Sequence, residues 1–296
     1  MTNILLIGSQ GQIAWELQVT LATLGNTIVL GSQELDLNNP DLIVDRVRSI
    51  QPQIIVNAAA YTAVDKAETE SELCMSINAN APGILAELAR QSQALLIHYS
   101  TDYVFDGQKT SSYVETDPTN PLGVYGASKL AGERAIIQVD CPHLILRTTW
   151  VYGNRGKNFL LTILRLAAEK SELKIVADQI GAPTWSRSIA EATSQIVAQC
   201  DRDRSSIKGL YNLSAAGSTS WHGFASEIVS QYRALYPERH LAVQNILPIP
   251  ASDYPTPAQR SANSVLDNSK ILADFCVQLP DWDLSLSQLL ARWEQT

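Results

Sequence analysis

The chain is poor in the features that mark secreted, metal-bound, membrane-spanning or nucleic-acid-binding proteins. Only four cysteines occur in 296 residues, and Cys74, Cys141, Cys200 and Cys276 are too scattered for a C-x-x-C motif or a disulfide framework. They read as reduced, structural thiols, and no histidine stands near them in a metal-ligand spacing, so no metal is expected. Basic residues are in deficit, 22 Lys and Arg against 30 Asp and Glu, and a net charge of −8 excludes a general nucleic-acid surface. No apolar run approaches the roughly 18 residues of a membrane span. The N-terminus has no basic leader region and passes directly into a strand-like run, so a cytoplasmic location is expected.

What is present is a 45% hydrophobic chain, long enough to bury a large core. Its first half alternates β-branched runs (4–8, 27–30, 54–58, 95–100) with helical stretches (13–24, 42–50, 72–91, 129–139). That rhythm predicts βαβ units, hence an α/β fold with a Rossmann-type doubly wound parallel sheet. The runs Ile-Ile-Val and Leu-Leu-Ile are apolar without interruption, as strands buried on both faces require. Beyond Arg147 the pattern loosens into helical stretches at 159–168, 188–200 and 221–236, separated by turn-rich segments, with Ser220 as an N-cap. The expected division is a dinucleotide-binding domain over 1–149, to which 185–213 returns, and a smaller C-terminal substrate-binding lobe over most of 150–296.

Gly8-Ser-Gln-Gly11-Gln-Ile-Ala14 follows the first strand and opens the first helix. Gly8 allows the tight turn, Gly11 lets backbone N–H groups approach a pyrophosphate, and the helix N-terminus favours the anion. Ala14 stands where a third glycine is usual. The second strand ends at Leu30-Gly31-Ser32-Gln33, with no carboxylate for a ribose 2′-hydroxyl and no adjacent arginine for a 2′-phosphate. NADPH is therefore the expected cofactor, with NADH tolerated. Asp36 and Leu37, placed after the third strand, would hold the adenine, unless Asp36 caps the helix beginning near Pro40.

Tyr125-Gly-Ala-Ser-Lys129 sets a phenol and an ammonium four residues apart, on one face of a helix. A ketone that accepts hydride needs a proton, and a tyrosine serves near neutrality when a nearby cation lowers its pKa. Thr101, at the C-terminal end of a predicted strand, can orient the carbonyl with its hydroxyl, though it also suits a strand on propensity alone, and Asp102 could merely begin a turn.

These segments resemble the dTDP-4-dehydrorhamnose reductase family of extended short-chain dehydrogenases. The likeness is carried by 56–68, 98–107, 121–133, Arg147-Thr-Thr-Trp-Val-Tyr-Gly153, Asp178-Gln-Ile-Gly-Ala-Pro-Thr184 and Tyr254-Pro-Thr-Pro-Ala-Gln-Arg260 with Asn263-Ser264. The resemblance implies reduction of the C4 ketone of dTDP-4-dehydro-L-rhamnose, a nucleotide-sugar substrate. It implies that Gly11, Gln12 and Ile13 contact the cofactor phosphates, and that Asp36 and Leu37 sit at the adenine. It sets Ala60, Tyr61, Thr62 and Tyr99 along the dinucleotide, and Thr101, Asp102, Tyr125, Lys129 and Trp150 around the sugar, Trp150 having also a plain reading as core filler. Arg260 is the candidate for the substrate diphosphate.

Three departures stand out: Gly31 replaces an acidic residue of some relatives, Ser261 replaces a usual proline, and Arg187 replaces a carboxylate. Some bacterial relatives dimerise around magnesium held by glutamates. A homodimer is thus a candidate assembly here, but although Glu16 is present, Arg187 falls where a second carboxylate is expected, and no metal is expected. Two other readings share the fold: an epimerase or dehydratase, and a nucleotide-binding regulatory subunit like the animal relatives that serve methionine adenosyltransferase. A dehydratase would follow its threonine with Asp-Glu, whereas Thr101 is followed by Asp102-Tyr103.

Overall fold

Residues 1–200 and 207–293 are described by the computed structural model. Six parallel strands form the central sheet: β1 (Asn3–Ile7), β2 (Asn26–Leu30), β3 (Ile54–Asn57), β4 (Leu95–Thr101), β5 (His143–Thr148) and β6 (Lys208–Asn212), in the order β6-β5-β4-β3-β1-β2. Strand alternation explains the layering. Ile4 and Leu6 join one apolar cluster with Leu17, Ile97, Ile189 and Ile196, while Leu5 and Ile7 join another with Ile43, Leu85, Leu96 and Ile136. Each side needs a helical cover. On the first side, α1 (Gln12–Thr20) contributes Leu17; on the second, α2 (Pro40–Ile50), α3 (Ala81–Ser92) and α4 (Val124–Val139) contribute Ile43, Leu85 and Ile136.

The strand order reverses at β1, whose neighbours are β2 and β3. The crevice at the C-terminal ends of β1 and β3 is thus the switch point where such sheets bind ligands.

Past β5 come α5 (Phe159–Glu169), α6 (Ser186–Cys200), α7 (Trp221–Leu235) and α8 (Trp282–Ala291). Helix α6 packs on α1, and β6 pairs with β5 at the sheet edge; residues 201–206, inside the expected returning segment, lie outside the described residues. A separate core of Tyr152, Leu160, Ile163, Phe224, Ile228 and Leu286 knits α5, α7 and α8 together. Ser220 caps α7 by accepting from Gly223 N at 3.0 Å. No helix among the described residues is long and apolar enough to cross a membrane.

Four local expectations are corrected. The stretch 72–91 is not one regular helix, because a π-turn (Ser76–Asn80) separates Ser71–Met75 from α3. Pro82, in the first turn of α3, has no N–H for the Asn78 carbonyl, and that break in the i→i−4 ladder is consistent with the wider turn. The helix expected at 129–139 begins at Val124, whose N–H is capped by Glu68 Oε1 at 2.9 Å, a partner remote in sequence. Asp36 and Leu37 follow β2, not the third strand. Asp36 does not cap α2, because Asn39 does so through Leu42 N, and Asp36 instead accepts from Asn38 N.

Candidate active site

The glycine turn fits a dinucleotide. Gly8 sits at φ +106, and a Cβ there would lie 3.1 Å from Ala59 N, so only glycine lets β1 turn this close to the end of β3. Gly11 is the N-cap of α1 without a side-chain cap, which leaves the leading N–H groups for a phosphate. The Gln12 carboxamide reaches Val151 O at 3.4 Å and accepts from Asn158 at 2.9 Å, tying this helix start to the chain beyond β5. Ile13 is partly buried against the core beneath.

Across the crevice, Asn78 holds residue 61 from both sides, accepting from Tyr61 N (2.9 Å) and donating to Tyr61 O (3.0 Å). Ala60, Tyr61 and Thr62 are therefore presented by the π-turn. The Tyr61 hydroxyl donates to Glu70 at 2.6 Å, which, with some burial, pushes its pKa up to about 12. The Tyr99 ring lies in the core with its hydroxyl 2.7 Å from Thr193, and its carbonyl accepts from Lys129. Leu37 likewise belongs to the core, while Asp36 is exposed.

Helix α4 brings Tyr125 to the end of β4. Gly126 permits this, since a Cβ there would stand 2.2 Å from Tyr103 O. The Tyr125 ring lies edge-on to Tyr103, at 5.4 Å. Burial pushes the Tyr125 phenol's pKa up, and a hydrogen bond with Thr101 opposes the shift only in part. Lys129 is 2% exposed; its ammonium donates to Tyr99 O at 2.6 Å and lies 3.1 Å from His98 Nε2. Burial lowers its pKa to about 8, with Glu133 pulling the other way. Tyr125 and Thr101 are thus together, whereas no bond joins Lys129 to Tyr125 and the expected lowering of the phenol's pKa is absent from this geometry.

Asp102, Trp150 and Arg260 line one narrow cleft with Tyr103, Gln179, Trp221, Ser261 and Ser264. Trp150 is no core filler. It is half-buried, held at φ +43, a region costly for a bulky residue, and stacked on Trp221 with centroids 3.4 Å apart and planes 7° off parallel. Arg260 is engaged at the cleft's rim by Asp65, at 3.1 Å. Sequence reasoning missed the cleft roles of Tyr103 and Trp221. Tyr103's neighbour Asp102 was a signal; Trp221, far along the chain, gave none beyond its helix start. A groove of about 570 Å³ among α2, the π-turn, α3 and α4 contains none of the expected site residues.

Asp102 is buried, and both its oxygens take hydroxyl donors, Thr101 at 3.0 Å and Thr149 at 2.8 Å. Burial outweighs these bonds and pushes its pKa up to about 6. The folded chain therefore holds a proton there that the unfolded chain releases between about pH 4 and 6, so the ionisation cost is absent below that window and complete above it. Asp102→Asn should raise stability by about 1–3 kcal/mol near pH 8 and leave it unchanged near pH 3.5. Denaturant titrations at the two pH values check this, and equal shifts at both would reject it.

The family comparison agrees with this geometry. A model described as the RmlD substrate binding domain matches residues 1–295. The chain belongs to this family. It is 50% identical over 283 residues, 95% of each chain, to a dTDP-4-dehydrorhamnose reductase of Burkholderia thailandensis. It is 44% identical to that of Escherichia coli K12, over 97% of each. Among solved structures, the Bacillus anthracis dTDP-4-dehydrorhamnose reductase in complex with NADP superposes with a TM-score of 0.87 at 32% identity, covering 100% of this chain and 99% of that one.

Within this RmlD-family chain, Glu16 on α1 meets the Arg187 guanidinium at 3.2 Å, and Arg187 also binds Glu191 at 2.6 Å. A fixed cation thus neutralises the carboxylate that a divalent ion would need. EDTA treatment should leave activity and assembly unchanged; a loss of either that magnesium restores would refute this, by turnover assay and size-exclusion chromatography.

Proposed function

We propose that the chain reduces the C4 ketone of dTDP-4-dehydro-L-rhamnose to dTDP-L-rhamnose, the last step of dTDP-rhamnose biosynthesis, using NADPH and accepting NADH. The reading places the activity in the cytoplasm, with residues 1–149 and 185–213 serving the cofactor and the rest of 150–296 serving the sugar. The observation that carries it is the placing of the Tyr125 phenol beside Thr101, adjoining the Asp102–Trp150 cleft in a chain matched over residues 1–295 by the reductases' family.

Bound NADPH supplies the hydride. The remaining work falls to side chains. Thr101 turns its hydroxyl from Asp102 to the C4 oxygen, which the Tyr125 phenol also holds, and Tyr125 gives that oxygen its proton as alkoxide character develops. Because burial raises the phenol's pKa, Tyr125 waits protonated, the state a donor needs. Lys129, on the same helix as Tyr125, would hold the nicotinamide ribose, and the stacked Trp150 and Trp221 wall the cleft against water. Arg260 exchanges Asp65 for the substrate diphosphate, which suits its planar fork.

The test is oxidation of NADPH and NADH with freshly generated dTDP-4-dehydro-L-rhamnose, beside GDP- and UDP-linked keto sugars. Turnover of the dTDP sugar supports the reading; failure with every sugar overturns it.

A further inference from the structure

A Rossmann-type site separates the two nicotinamide dinucleotides at the end of its second strand, where an acidic residue accepts from the adenine ribose 2′-hydroxyl. This chain has Gly31 at that point, directly after β2. The fold returns a carboxylate to the same place. The loop turns back on itself, with Glu34 N and Leu35 N donating to Gly31 O at 3.1 and 2.8 Å. Glu34 Oε2 in turn accepts from Gly31 N at 3.0 Å.

A Cβ built on Gly31 would lie 3.2 Å from Glu34 Oε2 and 2.5 Å from Ser9 Oγ, the latter within the glycine turn. The Glu34 carboxylate thus stands in the space an aspartate side chain at 31 would fill, beside the phosphate-binding turn, and it is exposed. Arg46 of α2 fixes the loop by donating to Glu34 O at 3.1 Å and brings a positive charge to it.

We infer that Glu34 is the residue of this chain that discriminates between the two cofactors, accepting from the ribose 2′-hydroxyl of NADH and opposing the 2′-phosphate of NADPH. Arg46 offsets part of that opposition and keeps NADPH usable. The inference rests on the reductase reading above. It also explains how NADH is accepted without an acidic residue at 31.

Glu34→Gln keeps an oxygen for Gly31 N and removes only the charge, so the loop survives. NADPH and NADH dissociation constants should be measured by calorimetry without sugar, with adenosine 2′,5′-diphosphate and adenosine 5′-diphosphate as competitors. The variant should tighten NADPH and the 2′-phosphorylated competitor by about tenfold or more relative to their 2′-hydroxyl counterparts, the scale of one like-charge contact near a protein surface. The steady-state ratio of kcat/KM should move the same way. Ratios within twofold of wild type would overturn the inference while leaving the reductase reading intact. If the wild-type chain binds neither dinucleotide, both fall.

Discussion

Tyr125→Phe should slow turnover of the dTDP-keto sugar by about 10²–10⁴-fold, the usual contribution of a positioned general acid, with fold and cofactor binding retained. The substitution removes one oxygen and keeps the ring, so the edge-on contact with Tyr103 survives. Lys129→Ala differs in kind. Its ammonium is bonded to Tyr99 O and sits against His98, so its loss leaves buried acceptors bare and removes the ribose contact proposed for it. Cofactor affinity and rate should fall together, and the double variant should cost much less than the sum of the two. Single-turnover kinetics with the fold checked by circular dichroism provide the measurement. Near-wild-type turnover by Tyr125→Phe would end the mechanism proposed here.

The second large effect concerns stability. Glu133, on the same helix as Tyr125 and Lys129, meets Arg147 of β5 in a bidentate pair, Nε to Oε1 at 2.8 Å and Nη2 to Oε2 at 2.6 Å. Both side chains are at most 3% exposed, and Ser100 Oγ donates to the same carboxylate at 2.5 Å. Glu133→Ala leaves a guanidinium buried without its counter-charge, which costs about 3–5 kcal/mol. That is a large share of a typical domain's stability of about 5–15 kcal/mol. Replacing both partners, Glu133→Leu with Arg147→Met, should recover most of the loss, because no charge is then stranded. Urea denaturation decides it: a single variant as stable as wild type would show that the pair does not hold α4 to the sheet.

The sheet was legible because burial on both faces writes continuous apolar runs, and Gly8 marks the turn by what a Cβ would forbid. The Tyr125–Lys129 spacing fixed a shared helix face but not the partners on it. Lys129 turned to Tyr99 O and His98, groups that only the packing of α4 on β4 brings near. The same limit hid the stacking of Trp221 on Trp150, the capping of Val124 by Glu68 and the return of Glu34 to Gly31, each a contact set by tertiary folding. The regular helix expected over 72–91 failed for a local reason that could have been read, since Pro82 sits in its interior.

The paired indoles of Trp150 and Trp221 also give the molecule an optical character. The chain has six tryptophans, and two of them lie plane to plane along the cleft. Chromophores so close and so nearly parallel share their excited states, so their emission and near-ultraviolet dichroism report on the cleft more than on the rest of the chain. Entry of a sugar that parts or tightens the stack would be visible as a spectral change without any label, and before any turnover.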